Sequence, residues 1–85
     1  MEKVISLDKL KCGQTGVITK IEIKSPEICG RLFEMGIICG TEIKIKLKAP
    51  FGDPVCFLVK GYSLCLRKNI LKDIFVSVAV WELRL

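Results

Sequence analysis

Histidine is absent from the 85 residues. With it goes the side chain most used as a general base near neutral pH and as a metal ligand. Aromatic residues make up only 7% of the chain and do not gather on one strand. The stacking platform of single-strand nucleic-acid binding therefore has no counterpart, and no nucleic-acid partner is expected. No apolar run approaches the ~18–20 residues that cross a bilayer. The opening MEKVISLDKLK alternates charge with apolar residues and lacks the long apolar stretch of a signal peptide. The cytoplasm is the expected compartment.

Catalytic signatures are missing too. The segment Gly36-Ile37-Ile38-Cys39-Gly40 has neither the pattern of a phosphate loop nor its following lysine. Asp8, Asp53 and Asp73 stand apart, and a cysteine nucleophile would have only lysine or a carboxylate to activate it. The reading is a non-enzyme with no catalytic, cofactor-binding or metal residue assigned.

What is present suits one small domain spanning residues 1–85. The chain is 51% hydrophobic and 27% charged, too apolar for disorder. At this size roughly 60–65% of the unfolded surface can be buried. That leaves room for a core and little for a deep substrate cavity. The net charge of +5 favours acidic partners without choosing among them.

Five cysteines, an odd number, cannot all pair within one chain, and free thiols are expected. Cys12, Cys29, Cys39, Cys56 and Cys65 are 17, 10, 17 and 9 positions apart. None has the short spacing of zinc or iron–sulfur ligands, so they read as small hydrophobes. Cys56 and Cys65 can become neighbours across a hairpin, which keeps a thiol pair in play.

Periodicity supplies the elements. Ser6 to Leu10 reads as a single turn ending at Gly13, and Val17–Lys24 as a strand. Ser25 caps a helix, with Pro26 at its first position and Glu27 at the positive end of its dipole. That helix carries Ile28, Leu32 and Met35 on one face and ends at Gly36. Gly30 inside it suggests close packing. Thr41 to Lys48 alternates strictly, so Ile43, Ile45 and Leu47 should face the core while Lys44, Lys46 and Lys48 face water. Val55–Lys60 and Ser63–Arg67 form a hairpin with its turn at Gly61-Tyr62, which places Val59 opposite Leu64 and Phe57 opposite Leu66. Its outward face holds Cys56, Leu58 and Cys65. A helical turn over Lys68–Lys72 and a last strand over Ile74–Val80 complete a mostly β chain: a small barrel with one inserted α-helix. The apolar tail Val76–Leu85 is expected to pack on its own barrel, with a second copy or a partner's edge as the other candidates.

The lysine strand, with Lys20 and Lys24, could present a cationic face to phosphate or to an acidic protein. A solvated face protected from edge pairing is the plainer reading.

Several segments together resemble the ferrous iron transport protein A family (FeoA). They are Leu7-x-x-Leu10-x-x-Gly13, then Arg31-Leu32-Phe33-Glu34-Met35-Gly36-Ile37-Ile38-Cys39-Gly40, then Ala49-Pro50-Phe51-Gly52-Asp53-Pro54, then Ser63-Leu64-Cys65-Leu66-Arg67-Lys68. The likeness runs from about Ser6 to Val78. It departs at Cys12, where the family usually has proline, and in the longer apolar tail. The resemblance implies an SH3-like barrel that serves as an accessory or regulatory protein of ferrous iron uptake. Its implied partner is the membrane ferrous iron transporter, protein B of the system, met at the cytosolic GTP-binding domain. Contact with the membrane would then come only through that partner. The candidate contact residues are Glu27, Arg31 and Glu34 on the helix, Lys44, Lys46 and Lys48 on the basic strand, and Leu58 on the hairpin. A second likeness is to the SH3-like C-terminal module of metal-dependent repressors, which implies a free-standing regulatory module.

Overall fold

The computed structural model describes residues 2–81. Six strands form one antiparallel sheet: β1 (Glu2–Ser6), β2 (Thr15–Ile21), β3 (Glu42–Lys48), β4 (Val55–Val59), β5 (Tyr62–Leu66) and β6 (Ile74–Ala79). Their order is β1-β6-β2-β3-β4-β5, so β1 and β5 are the edges. Helix α1 (Pro26–Glu34) joins β2 to β3, and the single turn α2 (Lys68–Leu71) joins β5 to β6. The sheet is not closed, and its inward side chains pack with those of α1 and α2 in one apolar core, an arrangement compatible with a small barrel-like fold. Phe57, Leu7, Leu10, Ile18, Leu32, Ile37, Ile43 and Ile45 are among the side chains fully inside it.

The helix forms for the reasons its sequence states. Ser25 Oγ accepts from the Ile28 amide at 3.3 Å, which satisfies one orphan donor of the first turn. Leu32 is buried, and Ile28 and Met35 pack on the core from its margin. Gly36 closes the helix at φ 85°, a conformation in which a Cβ is strained. Gly30 is different from the expectation: it is exposed, and a Cβ there would meet nothing within 4 Å.

Three local corrections follow from strand physics. First, β1 carried no legible signal, because Glu2, Lys3 and Val4 of this edge strand are exposed. It pairs with β6 from Glu2↔Ala79 to Ser6↔Phe75, while β2 covers the other side of β6. The tail is thus taken up by its own sheet as far as Ala79; residues 82–85 lie outside the described residues. Second, β2 is Thr15–Ile21, shorter and earlier than expected, with a register shift between Ile18 and Lys20. Third, the hairpin turn is Lys60-Gly61, both at positive φ, as a two-residue turn matching strand twist requires. Val59 therefore faces Tyr62 and Phe57 faces Leu64. The register moves by two residues, so the faces survive: Val55, Phe57 and Val59 are buried as expected.

The strict alternation of β3 breaks at a bulge. Pairing shifts between Ile45 and Leu47, leaving Lys46 as the extra residue. One added residue reverses inside and outside beyond it. Leu47, expected in the core, is 60% exposed and sits opposite Cys56. Lys48, expected in water, comes round to the side of Val55 and is half-buried, with Nζ donating to the Asp8 carbonyl at 3.3 Å.

Candidate functional site

Six of the seven candidate contact residues fall on two separate surfaces, and Lys48 lies on neither. On α1, Glu27, Arg31 and Glu34 are exposed on the side away from Leu32. Phe33, 70% exposed, lies on the other flank of the helix from Arg31. It lies one residue off the core face, a signal the helical spacing contained. The C-terminus of this helix is tied to the hairpin tip. Tyr62 donates its hydroxyl hydrogen to the Met35 carbonyl, and the Lys60 stem covers Gly36. Tyr62 shares a sheet face with Val59, so the helix lies on the core side of β4 and β5.

The other surface is the outward face of β3, β4 and β5. Lys44 sits opposite Leu58, Leu47 opposite Cys56, and Cys56 opposite Cys65. Leu47 and Leu58 make its exposed apolar centre. Lys44 and Lys46 flank that centre, and Lys46 Nζ donates to Ser63 Oγ at 3.0 Å. Lys48 is not part of this face. Lys20 also has its own carboxylate, Glu22 at 3.3 Å. The bulge thus reduces the lysine stripe to two residues and adds Leu47, which alternation alone would have hidden.

Contrary to the expectation of free thiols, Cys56 and Cys65 are joined in a disulfide, their Cα atoms 4.0 Å apart. Two residues facing each other at a pair without backbone hydrogen bonds bring their Cβ atoms closest, which permits the bond. Cys12, Cys29 and Cys39 remain free. Among the described residues, no three Cys, Asp or Glu side chains converge to hold a metal.

Asp53 Oδ1 accepts from the Lys68 amide at 2.7 Å, and Oδ2 lies 3.9 Å from the Arg67 guanidinium. The carboxylate thereby anchors the β3–β4 loop to the start of α2. Phe51, at the tip of that loop, is 98% exposed. An open cleft of about 590 Å³ between the segment 38–42 and the hairpin turn contains Cys39, Glu42 and Lys60.

An antiparallel sheet with an inserted helix packed on one apolar core defines the class: a small SH3-like fold. The FeoA domain family matches residues 5–78, and the chain belongs to that family. A FeoA-like protein from Clostridium acetobutylicum is 40% identical, with a TM-score of 0.81 over 94% of this chain and 92% of its own. FeoA of Stenotrophomonas maltophilia is 25% identical, with a TM-score of 0.73 over 85% of this chain and 88% of its own. That protein was solved with zinc and is described as a prokaryotic SH3 domain protein and a candidate ferrous iron transport activating factor. A manganese-dependent transcriptional repressor, 15% identical, shares the fold alone, with a TM-score of 0.82 over 93% of this chain and 44% of its own. Comparison with curated proteins gave no match. No helix among the described residues is long and apolar enough to cross a membrane.

Proposed function

We propose that this chain is an accessory protein of ferrous iron uptake that acts by binding the cytosolic GTP-binding domain of the membrane ferrous iron transporter. The observation that carries the reading is the family match across residues 5–78. Physical support comes from the outward face of β3–β5. An apolar centre with a charged margin is the anatomy of a protein contact, and the net charge of +5 favours an acidic counterpart. Leu47 and Leu58 would supply buried area, with Lys44 and Lys46 setting orientation. The exposed side of α1, with Glu27, Arg31 and Glu34, is the other candidate surface, on the opposite side of the hairpin. The protein would work in the cytoplasm and reach the membrane only through this partner.

The test is a pull-down of the transporter's GTP-binding domain by the full chain, without nucleotide, with GDP and with a non-hydrolysable GTP analogue. Retention in at least one state is expected. No retention in any state, with the intact membrane transporter in detergent also negative, overturns the reading.

A further inference from the structure

We propose that Cys56 and Cys65 form a reversible thiol–disulfide site on the outward face, whose redox state sets how firmly β5 is held. The bond lies outside the core, since both residues have outward parity between the inward pairs Val55↔Leu66 and Phe57↔Leu64. Cys65 is exposed and Cys56 half-buried, so Cys65 is the more accessible of the two to an incoming thiol or oxidant. The hairpin has its own fold-determining features: the Lys60-Gly61 turn and the buried Val55, Phe57 and Val59. Register therefore does not depend on the disulfide.

The strand it secures depends on few other contacts. Among the described residues, β5 is the last strand of the sheet and pairs with β4 alone. Its side chains are exposed or half-buried throughout. An edge element with so little burial belongs to the low end of local stability, where one covalent link changes opening most. β5 also carries Tyr62, whose hydroxyl holds the end of α1 through the Met35 carbonyl. Loosening β5 therefore reaches the helix as well as the strand face.

The chemistry is a two-electron exchange. In oxidation by a peroxide, the Cys65 thiolate attacks the O–O bond, giving a sulfenic acid and water. The Cys56 thiolate then attacks that sulfur, forming the S–S bond and releasing a second water. In reduction by a dithiol, the incoming thiolate attacks the exposed Cys65 sulfur and Cys56 leaves as thiolate. The reductant's second thiol then closes its own disulfide and frees Cys65. Lys46, held at Ser63, the next outward residue from Cys65, puts positive charge beside the approaching thiolate.

The inference concerns the chain by itself and does not depend on the uptake reading. It is tested on the full-length protein by maleimide trapping with peptide mapping, alongside amide exchange. Hydrogen peroxide should remove two of the five reactive thiols and link Cys56 to Cys65, and thioredoxin with its NADPH-dependent reductase should restore both. Amides of β5 should exchange roughly tenfold faster in the reduced chain, with those of β2 unchanged. The double variant Cys56→Ala/Cys65→Ala should exchange at the reduced rate under both conditions, whereas Cys39→Ala should switch like the parent. A bond that resists thioredoxin in the folded chain overturns the proposal. So does pairing among other cysteines, or switching that leaves β5 exchange unaltered. Should the double variant fail to fold, the parent measurements decide alone.

Discussion

Two glycines in this chain carry opposite consequences, and packing distinguishes them. A Cβ on Gly16 would lie 2.9 Å from both Cβ and Cγ2 of Val76. Val76 is buried and paired with Ile18, so its Cβ moves only if the strands part. Gly16→Ala should therefore lower stability by about 1–3 kcal/mol, read as a fall in the denaturant midpoint at constant slope. An unchanged midpoint would mean that β2 and β6 separate more freely than their pairing indicates. Gly30 sits on the open side of α1 with helical neighbours and nothing near its missing side chain. There alanine removes unfolded-state freedom without a clash. Gly30→Ala should raise stability by about 0.5–1 kcal/mol; a loss would reveal a contact on the helix surface.

At the scale of elements, α1 depends on its first turn. The Ser25 side chain satisfies the Ile28 amide, and Pro26 presets the backbone at a position that needs no donor. Ser25→Ala should cost about 0.5–2 kcal/mol, while Ser25→Asp should retain most of the stability; equal losses in both would argue against capping. This helix was legible because its start, face and stop are all written in local chemistry. The same holds for the faces of β4 and β5, where parity alone decides burial. What sequence could not show is where parity fails. The bulge at Lys46 has no compositional mark, since any residue can be the extra one, yet it turns Leu47 outward and Lys48 inward. Edge strand β1 was missed for a related reason: with most of its side chains in water, hydrophobic alternation had little to report. The disulfide depended on register, and the spacing of Cys56 and Cys65 shows only that the bond is permitted.

At the scale of the molecule, charge and shape decide how a partner could sit. Net charge of +5 guides acidic surfaces toward the chain as a whole, whereas the two candidate faces differ in sign. The strand face carries Lys44 and Lys46 beside Leu47 and Leu58. The helix face carries Glu27, Glu34 and Arg31, with Phe33 exposed on its other flank. They lie on opposite sides of the hairpin, so one charge-reversed pair can be tested without disturbing the other. If the strand face docks the transporter domain, Lys44→Glu with Lys46→Glu should slow association about tenfold or more at low salt. That effect should shrink as salt rises, because exposed charges are screened beyond roughly 10 Å at 0.1 M. Leu58→Asp should act on dissociation instead and persist at high salt, since apolar contact is lost. Glu27→Lys with Glu34→Lys should leave both rates within about twofold if α1 stays clear of the contact. Surface-plasmon measurements on the GTP-binding domain across a salt series would separate these outcomes. A large effect from the helix pair, with none from the lysine pair, would move the docking surface to α1 and leave the lysines of β3 as a solvated strand face.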